Sequence, residues 1–346
     1  MTAFTSPVDM GALLAQAARR LADGGLVAFP TETVYGLGAD AENPEAIARI
    51  YAAKGRPANH PVIVHVAPEA DITYWAESVP AEARALMQAF WPGPLTLILP
   101  RARHIPAAVS GGQDSVGLRC PSHPIAQALL REFARLKPNG CGGVAAPSAN
   151  KFGQVSPTHA SHVRSEFAEL SEADLMVLEG GPSQVGIEST IVDLSRVDRG
   201  IGAVLLRPGH VSAAQIAAVL GVEPGRPDAG APQVSGSLKA HYAPHTPLSV
   251  LPRDQLLAAV DAAASDRTSR MAAVMFQAAP HSRSENIDWY LCEAAPDAYA
   301  RDLYALLRRL DQQAYSRILL EQPPFTSAWQ AVNDRLGRAA AAFPGG

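Results

Sequence analysis

Glycine and proline are concentrated in one segment, residues 221–247, which limits how this 346-residue chain can fold. The segment reads "GVEPGRPDAGAPQVSGSLKAHYAPHTP", and nine of its 27 residues are glycine or proline. This composition excludes a regular helix or strand, because glycine and proline both interrupt them. The segment therefore predicts a boundary between two folded parts, and the chain is long enough for two domains of ordinary size.

Short apolar runs alternate with helical patterns on both sides of this boundary. "PVIVHV", "LTLILP" and "SVGLRC" precede it, whereas "LSVL", "MAAVMF" and "RILLEQ" follow it. Alternation of this kind predicts a layered α/β or α+β domain over 1–220 and a small parallel-sheet α/β domain over 248–346. The connection over 221–247 is predicted to be either a disordered linker or a functional lid.

The composition is that of an ordinary globular protein, with 47% hydrophobic and 18% charged residues. A net charge of -4 argues against coating nucleic acid by bulk electrostatics. Three cysteines without a CxxC or Cys/His spacing predict neither a disulfide framework nor a structural zinc site. With no signal-like or membrane-spanning apolar run, the sequence predicts a soluble, untargeted, cytoplasmic protein.

Cationic residues occupy two informative places in the chain. "KGRP" puts Lys54 and Arg56 on either side of a glycine after a predicted helix, where they are either a solvated helix end or a grip for phosphate oxygens. Arg119 ends an apolar run and needs an anionic partner or solvent, and its fork fits a carboxylate. His65 lies within "PVIVHV", and a histidine in such an apolar run is most often a half-buried residue whose hydrogen bonds are satisfied within the protein.

Hydroxyl residues follow several of the predicted strands. The stretch "FPTETVYGLGADA" contains a GxGxxA string, but six residues separate it from the strand, so it is weak evidence for a dinucleotide site. "APSAN", "GIEST" and "RPG" are individually typical of turns and caps. Their number, without an evident Ser/His/Asp arrangement, favours binding of a polyanion and a small zwitterion over covalent catalysis.

Taken together, "FPTETVYGLGADA", "KGRP", "HPVIVHV", "VGLRCPSHP", "APSAN", "GIESTIVDL", "LLRPG" and "HYAP" resemble the threonylcarbamoyl-AMP synthase family in its two-domain form. The resemblance implies a YrdC-like twisted mixed-sheet catalytic domain and a smaller Rossmann-like parallel α/β C-terminal domain. It also implies a nucleotidyltransferase that makes L-threonylcarbamoyl-AMP and pyrophosphate from L-threonine, bicarbonate or CO2, and ATP. The product serves threonylcarbamoyladenosine modification of tRNAs that read ANN codons.

The resemblance also implies roles for individual residues. The L-threonine site is expected to contain Thr33, His65, Arg119 and Ser189. The ATP site is expected to contain Lys54, Arg56, His60, Ser115, Ser148, Asn150, Ser156, Arg207 and Tyr242. Lys54 and Arg56 would act in catalysis with a Mg²⁺ ion that accompanies ATP, and no residue is predicted as a direct metal ligand. Residues 221–247 would form a lid carrying Tyr242, and His60 stands where the family often has asparagine.

Two other functions compete with this prediction. One is a non-catalytic RNA-binding or ribosome-associated module, which weak, salt-sensitive RNA binding without ATP turnover would support. The other is a carbamoyl-transfer enzyme that shares the fold of the first domain but lacks the lid and the C-terminal domain. The expected partners are the three substrates and the downstream tRNA threonylcarbamoyl-transfer machinery, with weak RNA binding and no membrane.

Overall fold

The computed structural model describes residues 7–263, 269–277 and 285–344, which form two compact units. Unit 1 contains the chain up to Phe152 together with Pro157–Gln184 and Glu188–Ser237. Unit 2 contains Gly153–Ser156, Val185–Ile187 and the chain from Leu238 onward. The boundaries predicted at 1–220, 221–247 and 248–346 stay a prediction.

Unit 1 is built on a mixed sheet of nine strands in the order β7-β1-β2-β6-β3-β5-β4-β8-β9. Three neighbouring pairs, β1 with β7, β3 with β5 and β4 with β8, are parallel, and the other pairs are antiparallel. The strands are β1 Leu26–Phe29, β2 Gly36–Asp40, β3 Ile63–Val66, β4 Leu95–Pro100, β5 Ser115–Arg119, β6 Gly143–Ala145, β7 Leu175–Val177, β8 Thr190–Asp193 and β9 Val204–Arg207.

Helices cover both faces of this sheet. Successive residues of a strand point to opposite faces. Val27 and Phe29 therefore pack in the cluster that includes the helices Pro7–Ala22 and Pro124–Leu136, whereas Leu26 and Ala28 join the larger cluster that includes the helix Pro44–Lys54. The helices of unit 1 are α1 Pro7–Ala22, α2 Pro44–Lys54, α3 Ile72–Trp75, α4 Ala81–Phe90, α5 Pro124–Leu136, α6 Ala160–Glu166 and α7 Ala213–Leu220, with 3-10 turns at Ala107–Ser110 and Val197–Arg199.

Helix α2 shows how local sequence positions functional side chains. The Asn43 side chain accepts hydrogen bonds from the N–H groups of Glu45 and Ala46, which are two of the donors left free at a helix start. The helix ends at Gly55, whose φ of 60° is left-handed and suits a residue without a β-carbon. This ending leaves Lys54 as the last helical residue and places Arg56 just beyond the turn.

The first part of the glycine- and proline-rich segment belongs to unit 1. Gly225 forms a bridge with Val204 of β9, and Arg196 forms an ion pair with Asp228. Farther along, Val234 is buried against Ile98 and Ile191 of the sheet. Residues 221–237 thus have no helix or strand of their own, as predicted, yet side chains and backbone contacts hold them on the sheet.

Unit 2 contains a parallel sheet of four strands in the order β10-β13-β11-β12. Leu256 and Val260 of one helix pack on Met271, Ala273 and other apolar side chains of this sheet. The elements are β10 Leu248–Leu251, α8 Arg253–Ala263, β11 Met271–Met275, β12 Ile287–Leu291, α9 Pro296–Asp311, β13 Arg317–Glu321 and α10 Gln330–Ala340, with a 3-10 turn at Ser327–Trp329. The two sheets with their flanking helices confirm the predicted α/β fold class.

Candidate active site

The loop after β1 folds around the hydroxyl of Thr31. This Oγ1 donates to the carbonyl of Val34 at 2.6 Å and accepts the N–H groups of Thr33 and Val34 at 3.3 and 3.2 Å. The Oγ1 atoms of Thr31 and Thr33 lie 2.9 Å apart, and either of them can be the donor. The oxygen of the buried Thr33 hydroxyl keeps lone pairs that can accept a hydrogen bond from a ligand.

His65 and Arg119 are neighbours across two parallel strands. They are paired in register between β3 and β5, which brings two predicted threonine-site residues together. Arg119 is buried, and its Nη2 donates to Oε1 of Glu32 at 2.6 Å. The other oxygen of Glu32 accepts the N–H of Ser122 at 3.1 Å. The anionic partner of Arg119 is thus Glu32, which lies in the loop after β1. No role was predicted for Glu32 from the sequence.

His65 is held as a neutral imidazole. Burial, and secondarily the positive charge of Arg119, lower its pKa to about 3. Its ring lies edge-on to Phe29, with 6.1 Å between centroids, and within the described ranges its Nδ1 has no hydrogen-bond partner. At neutral pH the side chain can therefore orient a ligand by hydrogen bonding without adding a second positive charge beside Arg119.

Lys54 and Arg56 both lie buried beside main-chain oxygens of unit 1. Nζ of Lys54 donates to the carbonyl of Ser148 at 2.6 Å and to that of Asn150. Burial, followed by repulsion from Arg56, lowers the pKa of Lys54 well below its usual value. Nη2 of Arg56 donates to the carbonyl of Pro61 at 2.7 Å and to Oγ of Ser235 at 3.0 Å. The solvated helix end considered for "KGRP" is therefore wrong, because the packing of α2 buries both cations.

Ser189 and Arg207 form a second buried cluster. Oγ of Ser189 lies 2.8 Å from Oγ1 of Thr96 and accepts Nη2 of Arg207 at 3.2 Å. Arg207 also donates to the carbonyl of Ser189, and its Nη1 donates to the carbonyl of Ser235 at 2.9 Å. Ser235 thus contacts both Arg56 and Arg207. Arg207, which is predicted for the ATP site, also contacts Ser189, which is predicted for the threonine site.

The remaining predicted ATP-site residues of unit 1 are more dispersed. The His60 ring lies edge-on to Phe152 at 5.3 Å, and its backbone carbonyl accepts the hydroxyl of Tyr51. Ser115 begins β5 beside a groove that is also lined by Ser235. Ser148 and Asn150 supply the two carbonyls that hold Lys54. Their main chain therefore lies beside Lys54.

Ser156 and Tyr242 belong to unit 2. The carbonyl of Ser156 accepts Nε of Arg308 at 3.4 Å. Tyr242 has a left-handed φ of 62°, which is uncommon for a residue with a side chain. Its buried ring stacks on Tyr304 at 5.8 Å, and the guanidinium of Arg335 lies 5.2 Å from its centroid. These contacts place both residues within unit 2, and their roles toward ATP stay predictions.

Within the described ranges, no group of three or more His, Cys, Asp or Glu residues is arranged to hold a metal ion. Over the same part of the chain, none of the helices has the length and apolar character needed to cross a membrane.

Comparison with known proteins assigns both parts of the chain. A family described as "Telomere recombination" matches residues 19–209, and a family described as "Threonylcarbamoyl-AMP synthase, C-terminal domain" matches residues 211–341. Threonylcarbamoyl-AMP synthases of Pyrococcus abyssi and Bacillus subtilis are 36% and 37% identical over 330 and 340 residues, covering 93% and 94% of this chain and 92% of each relative. The chain belongs to the threonylcarbamoyl-AMP synthase family.

Solved structures agree with this membership. Sua5 of P. abyssi in complex with L-threonine matches with a TM-score of 0.81 and 33% identity, covering 94% of each chain. A doubly substituted variant of P. abyssi Sua5 matches with a TM-score of 0.82 and 33% identity, covering 97% of this chain and 94% of the variant. These matches confirm the predicted fold of a threonylcarbamoyl-AMP synthase.

Family membership also decides the predicted enzyme class. The chain is a nucleotidyltransferase-type enzyme of tRNA modification, as predicted. The comparisons give no support to the non-catalytic RNA-binding module. The second family match covers the C-terminal region that the carbamoyl-transfer alternative should lack, so this alternative is wrong.

Proposed function

We propose that this threonylcarbamoyl-AMP synthase joins L-threonine, bicarbonate or CO2, and ATP at the buried cluster of unit 1. The unprotonated amine of threonine takes up CO2 as a carbamate, and a carbamate oxygen attacks the α-phosphorus of ATP. Pyrophosphate leaves, and threonylcarbamoyl-AMP remains. Positioning and charge stabilisation would account for catalysis, because this reaction needs no protein nucleophile.

One contact carries the proposal. Nη2 of Arg207, on the predicted ATP side, donates to Oγ of Ser189, on the predicted threonine side. Attack on the α-phosphorus requires the carbamate and the nucleotide to be neighbours, with reacting atoms about 3 to 3.5 Å apart. A direct hydrogen bond between residues of the two predicted sites supports such a junction, since ligands held by Arg207 and Ser189 would meet there.

Each side of the junction offers chemistry that suits its predicted ligand. On the threonine side, Arg119 would bind the carboxylate, while Thr33 and neutral His65 would accept or donate hydrogen bonds. On the ATP side, Lys54, Arg56 and Arg207 would bind phosphate oxygens, replacing some of their contacts with carbonyls and with Ser235. The other predicted ATP-site residues are His60, Ser115, Ser148, Asn150, Ser156 and Tyr242.

The remaining parts of the proposal concern the cation, the lid and the partners. Mg²⁺ would arrive with ATP, because it keeps several waters and is commonly bound through phosphate oxygens. Residues 221–247 would act as a lid that excludes water from the labile carbamate. The product would pass to a cytoplasmic transfer machinery that modifies tRNA, and the three free cysteines are compatible with that reducing compartment.

Pyrophosphate release tests this function directly. Purified protein would be assayed with ATP and Mg²⁺ in the presence and absence of L-threonine and bicarbonate. We expect release only when both are added, and a loss of about 100-fold or more in Arg56→Ala, because a buried charge that contacts the phosphates is removed. Mass spectrometry should detect threonylcarbamoyl-AMP in the complete mixture.

Arg103→Ala is the matched control, since Arg103 is an exposed arginine of the same unit. It should retain full activity. ATP that stays intact under every condition would contradict the proposal, and salt-sensitive RNA binding would then be measured as the alternative. Equal losses in both arginine variants would contradict the placement of the phosphate site at Arg56.

A further inference from the structure

Glu32 and Arg119 form a buried ion pair within unit 1. The side chains of Arg119 and Glu32 are 5% and 7% exposed, and Nη2 donates to Oε1 at 2.6 Å. Glu32 uses its other oxygen as well, because Oε2 accepts the N–H of Ser122. One carboxylate thus fixes the end of β5 and the following loop to the loop after β1.

Stability alone is a poor explanation for such a pair. Transferring both charges out of water is costly, and well-packed apolar side chains would stabilise the same space equally well. Arg119 also has an unsatisfied buried donor, because its Nε has no hydrogen-bond partner within the described ranges. A buried N–H without an acceptor is unfavourable, and a ligand oxygen would remove that cost.

We propose that Glu32 is a positioning residue for the amino-acid substrate. It holds Arg119 through Nη2, and this fixes the guanidinium so that its remaining N–H groups, Nε among them, bind the substrate carboxylate. This inference rests on the proposed function and deepens it. A planar guanidinium gains most from a carboxylate when its orientation is set beforehand, because little side-chain freedom is then lost on binding.

The charges around the pair support a positioning role for Glu32 and a carboxylate-binding role for Arg119. His65 is neutral, so Glu32 balances Arg119 in the free protein, and the pair carries no net charge. A zwitterionic amino acid also carries no net charge, and it can bind without leaving an unbalanced ion in the site. An amino alcohol, which lacks the carboxylate, would leave the Nε donor of Arg119 without its ionic acceptor.

Glu32→Gln tests the proposal. The amide has oxygen at only one of the two positions that now accept from Arg119 and Ser122, and it carries no charge, so Arg119 is held less firmly in its orientation. We expect the KM for L-threonine to rise at least about tenfold, whereas the KM for ATP should change less than about twofold. Inhibition by L-threoninol, which has an alcohol in place of the carboxylate, should stay the same because that ligand does not use Arg119 as a carboxylate does.

Asp40→Asn is the control, because Asp40 is also a buried carboxylate of unit 1 in an ion pair, here with the partly buried Lys137. Its KM for threonine should stay unchanged. Glu32→Asp keeps the charge but is shorter, and it should raise the KM for threonine less than Glu32→Gln does. If Glu32→Gln does not fold, Glu32→Asp decides, and an unchanged threonine KM in it overturns the proposal.

The outcomes separate this inference from the proposed function. A wild-type protein that makes no adenylate contradicts the function itself. Active wild-type protein with an unchanged threonine KM in folded Glu32→Gln overturns the role of Glu32 alone. An equal increase in the KM for threonine and the KM for ATP would show a general structural effect and would also overturn the role of Glu32. The same holds if inhibition by threoninol weakens by the same factor as the KM for threonine rises.

Discussion

The two sides of the candidate site handle buried positive charge differently. On the threonine side, Arg119 is paired with the carboxylate of Glu32, which belongs to the same unit. On the phosphate side, Arg56 and Arg207 donate hydrogen bonds to neutral oxygens of Pro61, Ser189 and Ser235. The contact of Arg119 is with a charged carboxylate, whereas these contacts of Arg56 and Arg207 are with uncharged oxygens that an anionic ligand can replace.

This difference matches the charges of the two proposed substrates. Attraction between opposite charges is added when a phosphate oxygen replaces an uncharged oxygen as the acceptor, so phosphate oxygens can compete for Arg56 and Arg207. Threonine arrives without net charge and gives no such advantage over Glu32. The threonine side is therefore expected to keep its ion pair throughout, while the phosphate side exchanges its partners when ATP binds.

Among the variants that test this difference, Arg119→Ala should have the largest effect on the free energy of unfolding. Because Glu32 would stay buried without its counter-ion, the free energy of unfolding should fall by about 3 to 5 kcal/mol. Arg207→Ala removes hydrogen bonds to uncharged oxygens of Ser189 and Ser235, and it should cost about 1 to 3 kcal/mol. Urea denaturation of both variants measures the difference, and the double variant Glu32→Ala/Arg119→Ala should recover part of the loss. Equal losses in the two single variants would contradict the distinction.

The pH dependence of stability should sharpen the comparison on the threonine side. The pKa of His65 is about 3 in the folded protein and about 6.5 in an unfolded chain, so the folded state binds fewer protons. This contribution to stability is present above pH 6.5 and is lost as the pH falls toward 3. Between pH 7.5 and 4.5, wild type should lose about 2 to 3 kcal/mol more than His65→Gln.

Urea titrations at the two pH values test this expectation. The relevant quantity is the difference between wild type and variant, because other groups that titrate contribute equally to both proteins. Parallel pH profiles for wild type and His65→Gln would mean that His65 is protonated in the folded state near its ordinary pKa.

Ser235→Ala should have the smallest effect, on the phosphate side. Its Oγ accepts from Arg56 and donates to the carbonyl of Pro61 at 3.1 Å, so ATP must displace this hydroxyl to reach the guanidinium. Its removal should lower the Kd for ATP by about threefold, equivalent to less than about 1 kcal/mol. Ser237→Ala is the control, because that hydroxyl bonds to the carbonyl of Val234 instead. Calorimetric titration with ATP measures both, and weaker binding in Ser235→Ala would contradict competition.

Local features of the site could be predicted from the sequence because they depend on neighbours in the chain. The glycine in "KGRP" ends α2 in a left-handed turn. This turn fixes the positions of Lys54 and Arg56 on either side of the helix end. Arg119 was expected to end a strand and to find either an anionic partner or solvent, and it ends β5 paired with the carboxylate of Glu32. Alternating apolar runs likewise predicted a layered α/β or α+β domain and a small parallel-sheet domain, whereas the mixed sheet was implied by the family resemblance.

Distant pairings could not be predicted in the same way. Glu32 lies 87 residues before Arg119, and only the order of the strands brings them together. The signal that could have found it is a carboxylate in "FPTETVYG", a stretch otherwise made of apolar and hydroxyl residues. Ser235 was hidden for a similar reason, because its position between two arginines depends on how residues 221–237 lie on the sheet.

The interleaved path of the chain limits how the protein can be dissected. Unit 2 includes Gly153–Ser156 and Val185–Ile187, and its Ala243 donates a backbone hydrogen bond to Gly153. A fragment that stops at Ser237 would keep these two short segments without their unit 2 neighbours. A fragment that begins at Leu238 would lack both segments, so separate expression of the two units calls for redesigned loops rather than a single cut.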